Sequence, residues 1–368
     1  MLQIESISQS VKLEFAPDSR EAIFTTNFNV DGNRVVLIGE TSLPEAKSAL
    51  ISDLEKLNIQ LEDRLLVLPV QNSKTQNWAL ITLSVANLRA QPKHSAELVS
   101  QAIMGTPVKV LKKKDSWFLV QTPDKYIAWT DSEALSLLTK SDLEAWRNSK
   151  RVIVIPSLLL AKDSNQKEVV ADLVAGSILE IEKENEKNYD LALPDGRRIQ
   201  IEKTNCQLFS DWENRELTDL SILSKTAKEF MGRPYLWGGT SAKGVDCSGF
   251  VKSVYFMNGL ILARDASLQF LHGDTISPQD GFQNLEEGDL VFFGKEAVGG
   301  KSPKVTHVGM YMNHGEYIHS SGRVRVNSFD PKADDFNEYR SISYLGARRL
   351  MGRIGEVGIC RISEHPWY

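Results

Sequence analysis

Between Gly232 and Phe250 the chain reads G-R-P-Y-L-W-G-G-T-S-A-K-G-V-D-C-S-G-F, and this segment restricts the possible folds most tightly. Glycines at 238, 239 and 244 permit a tight, irregular backbone path that side chains would obstruct. The path runs through Asp246-Cys247-Ser248 into Val251, Val254, Tyr255 and Met257, an apolar set at helical spacing. Cys247 is therefore expected at a helix N-terminus, where unpaired amides and aligned peptide dipoles lower a thiol pKa and make a nucleophile of it. A lone cysteine is more often a small buried hydrophobe, but the glycine-rich approach argues against that reading here.

A thiol nucleophile needs a base, and two of the six histidines have a suitable setting. In V-T-H-V-G-M-Y-M, residues 305–312, Val308, Met310 and Met312 take one face of a strand and leave His307, Gly309 and Tyr311 on the other. In Y-I-H-S-S, residues 317–321, Ile318 goes inward and His319 points away. The intervening N-H-G-E is a turn signal, so the two strands are expected to form a hairpin. Both imidazoles then share a face, Gly309 leaves room beside them, and His319 can accept the hydrogen bond that sets the tautomer of His307. The alternative, two packed histidines, is weakened by their shared face. A metal site lacks a third ligand at suitable spacing, and no metal or organic cofactor is expected.

Composition narrows the classes further. Apolar residues make up 42% of the 368 and charged residues 25%, and no apolar run approaches the roughly 18 residues a membrane span requires. The formal net charge of -5 gives no drive toward nucleic acid. Cys206, Cys247 and Cys360 are widely spaced without a CxxC pair, which argues against a disulfide framework or a structural zinc. The opening MLQIESISQSVKLEF lacks the marks of a secretory leader, so a cytoplasmic location is expected, or a periplasmic one if a leader has been removed.

The length predicts several modules. Residues 1–75 read as a small α+β module, with a strand at 34–38, a helix at 43–57 opened by Pro44, and an apolar run at 65–70. Residues 76–150 change to short strands, at 79–85, 107–111, 117–120 and 126–129, followed by a bridging helix capped by Ser141. Residues 151–216 repeat the strand-rich pattern, at 152–155, 178–182, 189–193 and 198–201, with the charge run 180–187 as a solvated hairpin. Residues 217–368 become helical and then stranded, and hold the cysteine and both histidines.

The 232–250 phrase, E-G-D-L-V-F-F at 287–293, H-V-G at 307–309 and Y-I-H at 317–319 together resemble the NlpC/P60 cysteine peptidases. N-L-R-A-Q-P-K-H-S-A-E-L-V-S-Q-A-I-M-G-T-P-V-K-V-L, with Trp117 and Tyr126, resembles the bacterial SH3-like domains that accompany them, with Lys125 and Ala128 where glycines are usual. The implied fold class is α+β: a papain-like catalytic domain preceded by two small all-β SH3-like barrels and the N-terminal module. The implied activity is that of γ-D-glutamyl-L-diamino acid endopeptidases acting on stem peptides with a free N-terminal L-alanine. Cys247, His307 and His319 match nucleophile, base and orienting group. Tyr235 matches an oxyanion-stabilising hydroxyl, and Asp246, Ser248 and Asp265 match substrate contacts, with Ala266 where a serine often follows. Glu97 and Tyr126 match residues that close the site and meet the substrate amine, a buried ammonium requiring an opposite charge. The implied partners are peptidoglycan-derived peptides, met by a monomer without cofactor. Two other readings stay open at this stage: another γ-glutamyl amidase or acyltransferase using the same cysteine, and a wall-binding adaptor whose catalytic domain is a scaffold.

Overall fold

A computed structural model of the chain describes every residue except 1, 71–75, 164, 166, 218, 298, 300 and 301, and all side chains of the described residues but that of Asp280. At the N-terminal end, strand Arg34–Thr41 lies between Phe24–Asp31, antiparallel to it, and Gln60–Val67, parallel to it. The parallel return runs through helix Pro44–Glu55, with proline in the first turn and Leu50 and Leu54 buried. Helix Leu2–Phe15 completes the core with Ile4 and Val11, and had no counterpart in the sequence reading. Its apolar stripe is interrupted by buried Ser8, whose hydroxyl bonds that of Thr26 at 2.7 Å.

Two seven-stranded sheets follow. In the first, the expected strand at 79–85 is instead two, Trp78–Ile81 and Val85–Arg89, pairing with different neighbours. The break falls at Thr82, whose amide and hydroxyl are taken by the carbonyls of Ala134 and Glu133 at 2.9 and 3.1 Å. Lys125 takes the left-handed conformation, φ +67°, that glycine usually supplies, so the turn before Ile127–Asp131 closes without glycine. Tyr126 thereby enters the barrel core. Helix Lys140–Asn148 is capped by Thr139 rather than Ser141, because Thr139 and Asp142 bond each other's amides reciprocally. The second sheet adds Leu158–Lys162 and Val169–Val174 to the expected strands, and its charged hairpin, Ile178–Glu184 with Asn188–Ala192, is solvated toward its tip.

The C-terminal part is built on a six-stranded antiparallel sheet in the order Asp274–Ile276, Tyr344–Arg349, Leu290–Lys295, Lys304–Tyr311, Glu316–Ser321, Arg323–Ser328. Helix Cys247–Phe256 packs on it, with Phe250, Val251 and Val254 in one core with Val308, Met310 and Ile318. The first barrel grips the approach to that helix. Gln101 takes the Thr240 amide at 3.1 Å on its side-chain oxygen and the Thr240 hydroxyl at 2.9 Å on its carbonyl. At Gly238, φ +77°, a Cβ would lie 2.4 Å from the carbonyl oxygen of Leu98, so only glycine lets barrel and helix approach meet this closely.

Candidate active site

Asp246 precedes the helix in extended conformation and takes the Gly249 amide at 2.7 Å, which starts the helix with Cys247 in its first turn. The same carboxylate accepts the Gly238 amide at 3.0 Å and faces the guanidinium of Arg264, whose Nη2 and Nη1 lie 2.6 and 3.1 Å from its two oxygens. Arg264 is 1% exposed and also donates to the hydroxyls of Ser248 and Ser100, at 3.1 and 3.0 Å. Asp246 and Ser248 are thus tied through Arg264 into one buried network beneath Cys247, and nothing local in the sequence marks Arg264 as its centre.

The Cys247 sulfur lies against the backbone amides of Ser248 and Val308, the latter belonging to the residue directly after His307. The expectation that this position lowers the thiol pKa is corrected. Burial first, and then the Asp246 carboxylate, push the thiol up to about 11 against the opposing pull of the two amides and Arg264. Asp246 accounts for part of the difference, because the carboxylate that caps the helix brings its own negative charge to the place where the dipole would favour a thiolate.

His307 and His319 stand on the expected hairpin, with Met310 opposite Ile318 and Tyr311 opposite Tyr317. His314 and Gly315 turn it at φ +48° and +83°. At Gly309 a Cβ would lie 3.2 Å from that of His319, so the glycine does leave the room expected of it. His307 Nε2 and His319 Nδ1 are 2.8 Å apart, and His319 Nε2 is 2.9 Å from Asn327 Oδ1. The Asn327 amide donates through Nδ2 to the carbonyl of Asp335 at 2.7 Å, which orients Oδ1 toward His319. Proton positions follow along the chain. His319 carries its proton on Nε2, its bare Nδ1 accepts from His307 Nε2, and His307 is left with Nδ1 as a proton acceptor. Asn327 was missed in the sequence; it lies one strand further on, diagonal to His319 across the Glu316–Ser321 and Arg323–Ser328 pairing.

Both imidazoles are held neutral. Burial, followed by the nearby charges of Arg340, His319 and Arg325, lowers His307 well below its ordinary value, and burial lowers His319 to about 4 against the opposing Asn327 bond. A histidine depressed on folding binds fewer protons folded than unfolded, so its stabilising contribution is complete above pH 6.5 and is lost as pH falls toward about 4. The thermal midpoint is expected to fall steadily between pH 6.5 and 4. His319→Gln should flatten that slope, and an unchanged slope would contradict the assignment.

Beside the sulfur opens a cleft of about 570 Å³ lined by Arg20, Glu97, Val99, Tyr126, Tyr235, Trp237, Cys247, Asp265 and Thr306 among others. Tyr235 is held over the helix start by its bridge to Val245 and by its amide on the carbonyl of Gly322 at 2.9 Å. Glu97 and Tyr126 come from the first barrel, and Glu97 Oε1 accepts the indole N–H of Trp237 at 2.8 Å. Asp246, Ser248 and Ala266 also reach the cleft wall, as do Val305 and Thr306, whereas His307 is buried, 5% exposed, and does not line it. Among the described residues no group of three histidine, cysteine or carboxylate side chains is arranged to hold a metal, and no helix is long and apolar enough to cross a membrane.

A cysteine at the head of a helix, packed on an antiparallel sheet that bears an oriented imidazole, is the arrangement of the papain-like cysteine peptidases. Residues 232–342 match the NlpC/P60 family and residues 88–135 match the bacterial dipeptidyl-peptidase Sh3 domain. The chain belongs to the NlpC/P60 family. It is 28% identical over 265 residues to a gamma-D-glutamyl-L-lysine dipeptidyl-peptidase of Bacillus cereus, covering 69% of this chain and 76% of that one. It is 26% identical over 268 residues to dipeptidyl-peptidase 6 of Lysinibacillus sphaericus, covering 68% and 92%. A probable endopeptidase of Haemophilus influenzae is 36% identical over 134 residues, 36% of this chain and 74% of that protein. The crystal structure of an NlpC/P60 family protein from Bacillus cereus shares the fold, with a TM-score of 0.63 at 24% identity over 74% of this chain and 99% of that one.

Proposed function

We propose that the chain is a cysteine endopeptidase that hydrolyses the bond between γ-D-glutamate and the L-diamino acid of cell-wall stem peptides whose L-alanine carries a free amine. The observation that carries this reading is the pairing, in one cleft, of Cys247 with a carboxylate from the first barrel, Glu97, that has no ion pair among the described residues. A cleft carboxylate held only by a neutral indole is suited to an ammonium. The names of the Bacillus and Lysinibacillus relatives support the same class.

In this mechanism the thiol proton passes to Nδ1 of His307 as the sulfur attacks the γ-glutamyl carbonyl. The Cys247 amide and the Tyr235 hydroxyl receive the developing oxyanion. His307 then protonates the departing amine of the diamino acid, and water attacks the acyl-enzyme. Because the resting thiol lies above neutral pH and the imidazole below, the ion pair forms during attack rather than before it. The cleft is complete within one chain, which supports a monomer, and three unpaired cysteines support a reducing, cytoplasmic compartment.

Incubation with L-Ala-γ-D-Glu-meso-diaminopimelate is expected to release L-Ala-γ-D-Glu and free diaminopimelate, followed by mass. A lysine-bearing peptide and an N-acetylmuramoyl peptide in parallel define the third residue and the need for a free amine. Transfer products in place of the acid would identify an acyltransferase, and equal turnover of blocked and free peptides would remove the role given to Glu97.

A further inference from the structure

The N-terminal module reaches the catalytic cleft through one side chain. Arg20 lines the cleft beside Asp265, Ser267 and Tyr126. Its Nη1 donates to Asp265 Oδ2 at 2.7 Å and to the Ser267 hydroxyl at 3.0 Å, while Nε and Nη2 hold the two oxygens of Asp18 at 2.9 and 2.5 Å. The segment is anchored from behind by the first barrel. The Arg20 carbonyl accepts the Ile127 amide at 2.7 Å, the Glu21 carbonyl accepts the Gln121 side chain at 2.9 Å, and Ile23 packs with Ile127 and Leu119. Asp265 therefore stands between two guanidinium groups, with Arg264 Nη1 3.9 Å from its other oxygen. Four of the five N–H donors of Arg20 are used on groups fixed by two different parts of the chain.

We propose that Arg20 is a positioning residue that sets substrate length: it pins Asp265 and seals the cleft beyond the substrate alanine, so that peptides beginning with a free alanine fit and N-terminally extended ones do not. This rests on the functional reading above. The charge balance agrees with it. Arg264 is paired with Asp246 and Arg20 is shared between Asp18 and Asp265, so of the cleft carboxylates Glu97 is the one with no cation beside it among the described residues and is open to the amine. An acyl group on the alanine would carry no charge for Glu97 and would have to displace a segment tied at both its backbone and its guanidinium. A planar fork that bridges two carboxylates and a hydroxyl is a role lysine fills only in part.

The test compares kcat and KM of the full chain, Arg20→Met and Arg20→Lys on the free tripeptide and on its N-acetyl form. In Arg20→Met the KM for the free peptide is expected to rise about tenfold with kcat nearly held, and the preference for free over acetylated peptide to fall at least about tenfold. Arg20→Lys is expected to lie between the two. With Asp265→Asn already present, Arg20→Met should add little, since both act through one contact. Wild-type discrimination retained in Arg20→Met and Arg20→Lys, with tripeptide cleavage intact, overturns this inference alone. Absence of tripeptide cleavage by the wild-type chain overturns the functional reading and this inference with it.

Discussion

Cys247→Ala and His307→Ala are each expected to lower kcat/KM for the tripeptide by on the order of 10⁴-fold or more, with the double variant little worse than either. In the proposed mechanism the two act as a unit, because a thiol pushed up to about 11 is almost wholly protonated at neutral pH and needs a base to take its proton. In that mechanism His307 serves as the base while His319 and Asn327 hold its Nε2 proton in place. His319→Ala should therefore lower kcat more than it changes KM. Steady-state kinetics on purified variants with unchanged thermal midpoints measures this, and independent, multiplicative losses would contradict it.

Arg264→Met is expected to produce the largest loss of stability of any single change near the site, about 3–5 kcal/mol. The cost lies less in the bonds removed than in the charge left behind. Asp246 is 7% exposed and its carboxylate would remain buried without a cation, while it still has to cap the helix and hold Gly238. Asp246→Asn combined with Arg264→Met should recover part of that loss, because the uncompensated charge is gone. Denaturant midpoints followed by tryptophan fluorescence would show it. A double variant as unstable as the sum of its parts would mean that packing, not charge, dominates here.

Those residues show what sequence can carry. Cys247 was legible because its approach is written in adjacent glycines, and His307 and His319 because a period of two and a turn signal place them on one face of a hairpin. Each of these is local. Asn327 was not legible, since its contact with His319 depends on how a third strand registers against the second. Arg20 lies 245 residues from Asp265, and nothing near it distinguishes it from a solvated arginine. Helix Leu2–Phe15 was hidden by a serine in its buried stripe, and the strand at 79–85 was split by tertiary hydrogen bonds to a segment some fifty residues away. The thiol pKa was misjudged in direction because a helix N-terminus was weighed without the burial and the carboxylate that accompany it.

Alkylation of the intact protein by iodoacetamide at neutral pH, with the site read by peptide mass, addresses the central claim most directly. Cys206 and Cys360 are internal references, both raised by burial. The account predicts one equivalent of label on Cys247, well ahead of the other two, and its loss in His307→Ala. Labelling of Cys247 no faster than that of Cys206 and Cys360, or unaffected by His307→Ala, would contradict it.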